Sequence, residues 1–271
     1  MPPPNLPTEL VHMILDEVAE ADGPRALKPM APVSRTFRDI CRPYTWKTMV
    51  IIPRLVDALA EQLAVAPEIT RYVQELYIDA SEAQNYDWLR DPWPTVYGAC
   101  LQQNWPKLRM LEINCFNWKA LSARDQASLT ALTQLPTFRE LRAFCVRDIS
   151  FSIFAGFRGL KHLQLTSCSL HIDVDLQRLR CTAPTCSYLE TLRISQHYGP
   201  GGLETLLNYI TSEASPVNLT RLRALSFDPR CDGRVKRPGL AQMLAVSSAS
   251  LEVLKIEAEE NGIRRRSAGG I

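Results

Sequence analysis

The most reactive side chains in this 271-residue sequence are its eight cysteines: Cys41, Cys100, Cys115, Cys145, Cys168, Cys181, Cys186 and Cys231. Cysteine thiolates serve as nucleophiles and as zinc ligands. A structural zinc site needs four convergent nitrogen or sulfur ligands, and these commonly come as C-x-x-C pairs. No such pair occurs. Cys181 and Cys186 come nearest, with no second pair or histidine close behind them. The cysteines therefore read as small buried hydrophobes. His12, His162, His171 and His197 show no partner spacing, and there is no G-x-S-x-G, P-loop or H-E-x-x-H. Gly199-Pro200-Gly201-Gly202 precedes a helical pattern. Such a loop can cradle an anion at a helix N-terminus, but here it reads as a plain turn. No catalytic constellation, metal or cofactor is implied, and the chain is expected not to be an enzyme.

The elements that carry these residues recur. From residue 70 onward the pattern apolar-x-x-Leu-x-apolar appears seven times. Its copies begin at Val73, Leu108, Phe138, Leu160, Leu189, Leu222 and Leu251, with central leucines Leu76, Leu111, Leu141, Leu163, Leu192, Leu225 and Leu254. The central leucines are 35, 30, 22, 29, 33 and 29 residues apart. In Leu-x-Leu both side chains point to one face of a strand, while the residues between them face outward. The segments between copies have helical spacing: Val56 to Ala66, Ala127 to Leu135 with Asp125 as a cap, Leu203 to Ile210, and Leu240 to Val246. Strand, turn and helix repeated in this way match a leucine-rich repeat of about 20–29 residues with loop insertions. The expected fold is α/β: a curved parallel sheet inside and helices outside. The fourth copy continues as Leu160-x-x-Leu163-x-Leu165-x-x-Cys168-x-Leu170, the full repeat pattern. Cys168 is thus a structural turn residue, and Cys115 and Cys145, in neighbouring positions of their own copies, take the same reading.

Composition limits the function classes. The chain is 46% hydrophobic and 22% charged with a net charge of +2, so whole-molecule attraction to nucleic acid or anionic membrane is not implied. No apolar run approaches the ~20 residues of a membrane span. Met1-Pro2-Pro3-Pro4-Asn5 lacks the regions of a secretory signal, which points to a reducing compartment, cytoplasmic or nuclear. Arg264-Arg265-Arg266 reads as part of a solvated tail at 262–271. No amphipathic helix follows the last copy. Repeat arrays need polar caps, so either further chain or a folded-back tail would cover that end.

The first fifty residues differ. Leu10, Val11, Ile14, Leu15 and Val18 form one helical stripe after Pro7, and Gly23-Pro24 stops it. Val33, Phe37, Ile40 and Cys41 form a second set, which Pro43-Tyr44 ends. A unit this small cannot bury all its apolar side chains internally.

Leu6-Pro7-Thr8-Glu9-Leu10, Ile14-Leu15, Val33-Ser34-Arg35-Thr36-Phe37-Arg38 and Cys41-Arg42-Pro43-Tyr44-Thr45-Trp46 together resemble the F-box of fungal proteins, over residues 5 to about 52. The resemblance implies a helical F-box at 1–52, a leucine-rich-repeat solenoid at 53–261, and a substrate-receptor subunit of a Skp–cullin–F-box ubiquitin ligase. Leu6, Pro7, Leu10, Ile14 and Leu15 would dock on the Skp-type adaptor and, through it, on cullin. Val33, Phe37 and Ile40 would hold the helices together and complete that face, and Trp46 would pack the F-box onto the repeats. The sequence departs from the family at Leu27-Lys28-Pro29-Met30-Ala31-Pro32, where two prolines cannot both sit within a regular helix. The second helix either starts near Pro32 or is broken there. The partner on the repeats would be a protein substrate, met by outward positions such as Arg109, Glu112, Arg142, Gln164 and Arg193. The aromatic segment Asn85 to Tyr97, with Trp88 and Trp93, would contribute to substrate binding, since Tyr and Trp favour binding hot spots; the alternative is that these rings are core. The rival reading of the whole chain is a leucine-rich-repeat scaffold without a ligase role.

Overall fold

The computed structural model describes residues 7–27, 29, 32–81, 95–115, 117–150, 152–171, 187–195, 202–212, 215, 217–227 and 238–256. The chain opens with helix α1 (Thr8–Ala21), a 3-10 turn (Pro24–Leu27) and helix α2 (Arg35–Thr45). Gly23, at φ 80°, ends α1 in the left-handed conformation that only glycine adopts freely. The Ser34 hydroxyl caps α2 by accepting from the Phe37 N–H at 3.1 Å. Pro29 and Pro32 thus lie ahead of the helix. Pro43 does not end α2. It sits in the last turn, which still closes through Trp46 N–H donating to the Arg42 carbonyl at 3.0 Å. Val11, Leu15, Leu27 and Cys41 form a small core of their own, with Phe37, Ile40 and Tyr44 packed on its edge.

Strand β1 (Thr48–Ile51) follows, then α3 (Val56–Val65), β2 (Glu75–Asp79), α4 (Thr95–Leu101), β3 (Met110–Asn114), α5 (Ala123–Thr133) and β4 (Glu140–Phe144). Next come β5 (Ile149–Ser150), α6 (Ser152–Ala155), β6 (His162–Thr166), β7 (Leu170–His171), β8 (Ser187–Tyr188) and β9 (Thr191–Ser195). The last elements are α7 (Gly202–Thr211), β10 (Val217–Asn218), β11 (Ala224–Phe227), α8 (Pro238–Ser247) and β12 (Val253–Ile256). Eight strands form one parallel sheet in the order β1-β2-β3-β4-β6-β9-β11-β12, with β5–β7 and β8–β10 as two short side pairs. The fold is α/β.

Register is set by the repeated leucine. Met49, Leu76, Leu111, Leu141, Leu163, Leu192, Leu225 and Leu254 are successive Cα partners across the sheet. All but Leu254 are buried. Slipping any strand by one residue would carry its leucines to the opposite face, so burial specifies this register. Ahead of each strand, one carbonyl accepts two successive N–H groups from the next copy. Lys47 accepts from Gln74 and Glu75, Gln74 from Arg109 and Met110, and Arg109 from Arg139 and Glu140; Arg139, Lys161, Glu190 and Arg223 continue the series.

Two expectations are corrected. Thr48–Ile51 does not belong to the helical unit: it is the first strand of the sheet, with Met49 and Ile51 in the large core. The structural break therefore falls near residue 47, not after residue 52. Asp125 is not the cap of α5. Ser122 is, accepting from Asp125 N–H at 3.1 Å while its hydroxyl donates to the Asp125 carboxylate at 2.7 Å. This reciprocal pairing starts the helix four residues earlier than expected.

The helices lie over the leucine face. Leu63, Leu101, Leu129, Leu132, Phe154, Leu206, Leu207 and Met243 join the strand leucines in one core. Between α4 and α5 the approach is close: a Cβ at Gly98 would lie 2.5 Å from Asp125 Oδ1. Gly98→Ala is expected to lower stability by about 1–3 kcal/mol through overpacking. Thermal denaturation measures this, and an unchanged Tm would show that Asp125 can move aside.

Candidate functional site

Two surfaces gather the candidate residues. The first is on α1. Glu9 in its first turn complements the helix dipole, and Val11 and Leu15 turn inward. Leu10, Met13 and Ile14 then fall together at i, i+3 and i+4 on the outer side, 44%, 65% and 48% exposed. Tyr44 braces α2 against this helix. Its hydroxyl lies 3.4 Å from His12 Nδ1, and burial, then a hydrogen bond to Asp16, pushes its pKa up to about 12.

The expected adaptor residues separate accordingly. Pro7, Leu10 and Ile14 are exposed. Leu15 is fully buried and holds the helical unit together, so it offers no surface to a partner. Phe37 and Ile40 are half-buried against the small core. Val33 is 72% exposed on the turn before α2, so it does not hold the helices together. Leu6 lies outside the described residues. Met13 was not singled out in the sequence, although its spacing from Leu10 could have flagged it. Trp46 packs against the large core at the join to the sheet.

The second surface is the sheet face opposite the leucines. Its middle row runs Val50, Tyr77, Glu112, Arg142, Gln164, Arg193, Ser226 and Lys255 across successive strands. An open depression of about 280 Å³ is lined by Glu140, Arg142, His162, Gln164, Thr191 and Arg193. Arg142 is held by Glu140 at 2.7 Å and Glu112 at 3.6 Å. Partial burial pulls its pKa down, but the Glu140 hydrogen bond and the two carboxylate charges outweigh this, and the net shift is upward. Burial, then Glu75 and Glu112, raises the pKa of Tyr77. Arg193 is exposed and has no ion-pair partner among the described residues. The face thus runs from carboxylates on β2 and β3 to an unpaired guanidinium on β9.

Beside the depression Lys161 donates to Glu190 at 2.7 Å. That hydrogen bond lowers the Glu190 pKa against the opposing effect of burial. A depressed carboxyl pKa contributes stability above the unfolded value, and the contribution is lost as pH falls through the folded value. Glu190→Gln is therefore expected to flatten slightly the fall of Tm on the acid side. An unaltered Tm–pH profile would mean the exposed pair adds nothing.

Trp88 and Trp93 lie outside the described residues. Trp105, which follows that segment and precedes the second copy, is buried in the core. Cys168 is buried as expected, donating to the Ala143 and Thr166 carbonyls at 3.3 Å each. Cys115 and Cys145 also stand in the turns after their strands, in the neighbouring position. They align with Ser167, one residue earlier in the turn, and Val146 takes the buried place of Cys168. Among the described residues, no group of three or more His, Cys, Asp or Glu is placed to hold a metal ion, and no helix is long and apolar enough to cross a membrane.

No family model matches this chain, and no curated protein matches it.

Proposed function

We propose that the chain is the substrate-receptor subunit of a Skp–cullin–F-box type ubiquitin ligase, working in the cytoplasm or nucleus. The observation that carries the reading is the exposed row Leu10, Met13 and Ile14 on a helix whose other apolar residues fill a separate small core. That row stands within the ordered Leu-Pro, Val-Ser-Arg and Pro-Tyr-x-Trp motifs that resemble an F-box. A helix with an unpartnered apolar stripe suits a groove on another protein. The repeated strand, with leucines in register and helices on one side, supports the reading of residues 48–256 as a leucine-rich-repeat solenoid.

In this reading α1 and α2 dock on the adaptor, and the polar sheet face receives a protein substrate. Glu112, Arg142, Gln164 and Arg193 supply hydrogen bonds and charge there. The chain performs no bond-making of its own. It holds substrate lysines near a conjugating enzyme carried elsewhere in the assembly, which raises their effective concentration. No cofactor enters.

The scaffold reading, without a ligase role, gains one observation: Leu15 faces inward and Val33 stands on a turn, so the face on offer is narrower than the motif implies. Mixing the purified chain with a Skp-type adaptor and cullin and resolving the mixture by size-exclusion chromatography separates the two. Co-elution of all three supports the receptor. A folded chain that elutes alone leaves the scaffold.

A further inference from the structure

The turns after β3 and β4 carry a pair of thiols that the docking reading does not use. Cys115 and Cys145 each follow a strand by one residue, immediately after the ladder partners Asn114 and Phe144. The backbone pairing continues through both. Cys115 N–H donates to the Phe144 carbonyl and Cys145 N–H to the Thr166 carbonyl, each at 2.9 Å. Both residues adopt the left-handed conformation, with φ of 57° and 54°, so the two turns have the same form. Neighbouring strands lie about 4.7–4.9 Å apart, within the roughly 4.4–6.8 Å between Cα atoms that a disulfide spans. The Cys145 side chain lies close enough to that of Cys115 to add to the upward shift of its pKa. Cys145 is exposed and Cys115 half-buried, whereas Cys41, Cys100 and Cys168 are buried. Cys181, Cys186 and Cys231 lie outside the described residues.

We propose that Cys115 and Cys145 form a reversible oxidation site, converted by a hydroperoxide into a disulfide joining the turns after β3 and β4. The exposed Cys145 reacts first. Its thiolate attacks one peroxide oxygen and the O–O bond breaks, leaving Cys145 as a sulfenic acid and releasing water or an alcohol. The Cys115 sulfur then attacks the Cys145 sulfur. The S–S bond forms, the S–O bond breaks, and the departing hydroxide takes the Cys115 proton as water. For hydrogen peroxide the sum is two thiols plus one peroxide giving one disulfide and two waters. The peroxide gains the two electrons that the thiols lose. A dithiol reverses the reaction by exchange.

The division of labour follows from the surroundings. Burial, then the neighbouring Cys145, pushes the Cys115 pKa up to about 11. Cys115 therefore stays protonated at neutral pH and is a poor first nucleophile, suited to the resolving step. Cys168 cannot take its place: it is buried, it donates to two carbonyls, and its pKa is pushed up to about 12 by that burial.

The site stands independently of the ligase reading, and its test needs only the full-length chain. The reduced protein is treated with hydrogen peroxide, its remaining thiols are blocked with a maleimide, and the non-reduced tryptic digest is read by mass spectrometry. Cleavage after Arg109, Lys119, Arg142 and Arg147 places the two cysteines on separate peptides. The expected product is those two peptides joined with loss of two hydrogens, and parted by dithiothreitol. Cys115→Ser should leave Cys145 as a sulfenic acid that dimedone traps, and Cys145→Ser should leave Cys115 available to maleimide. The proposal is overturned if wild-type Cys145 proceeds to sulfinic acid while Cys115 stays free, if either pairs with another cysteine, or if neither is oxidised.

Discussion

Replacing Leu10 and Ile14 together by alanine is expected to weaken binding to a Skp-type adaptor by roughly 30- to 700-fold, with the circular-dichroism spectrum unchanged. Each substitution removes three carbon groups, of whose surface only about half is exposed in the free chain and would be newly dried by the complex. At about 0.8 kcal/mol per buried methylene, the pair loses roughly 2–4 kcal/mol of binding. Each 1.4 kcal/mol is about tenfold in affinity. The fold should hold because both side chains are already nearly half exposed in the free chain. Leu15→Ala is the internal contrast. That side chain is fully buried among Val11, Leu27 and Cys41, and its truncation should cost about 2–5 kcal/mol of stability in the helical unit. Isothermal titration calorimetry with thermal denaturation separates the two effects. A double variant that binds as tightly as the unaltered chain would sink the receptor reading.

The largest effect on stability is expected at Phe138. This residue opens the third motif, is fully buried, and stacks on Phe157 with ring centroids 6.3 Å apart and planes 13° from parallel. Phe157 in turn meets Phe154 edge-on at 5.7 Å. Phe138→Ala removes a fully buried ring from one end of this cluster and should cost about 3–5 kcal/mol. Gln164→Ala, on the opposite face of the same sheet, should stay within about 0.5 kcal/mol. Urea denaturation of the two variants side by side reads the difference. Equal losses would mean that the two faces of the sheet are not energetically distinct.

What the sequence made legible here follows one rule. Where a residue's burial depends on strand alternation, its face was readable. Leu76, Leu111, Leu141, Leu163, Leu192 and Leu225 all face inward, and Glu112, Arg142, Gln164 and Arg193 stand on the other side, as their odd–even positions require. Thr48–Ile51 escaped because it lacks the Leu-x-x-Leu preface; only its pairing with β2 reveals it as a strand. Orientation on α1 was harder. Leu10, Val11, Met13, Ile14, Leu15 and Val18 cover so much of the helix that spacing alone does not tell core from surface. The small core, closed by Leu27 and Cys41 from other segments, decides that Leu15 points in and Ile14 points out.

The carbonyl series from Lys47 to Arg223 has a kinetic consequence. Each strand pairs mainly with the copies 22–35 residues away along the chain, so forming one pairing closes a loop of that length and no longer. Loop-closure entropy grows only with the logarithm of length, and short closures favour fast, local assembly that can begin at any copy and spread to its neighbours. Unravelling should run the other way. At β12, Val253, Leu254 and Ile256 are exposed, so its amides are expected to exchange with deuterium first. Protection should then climb through β11 and β9 toward β4 and β6, as a gradient along the sheet instead of a single cooperative step.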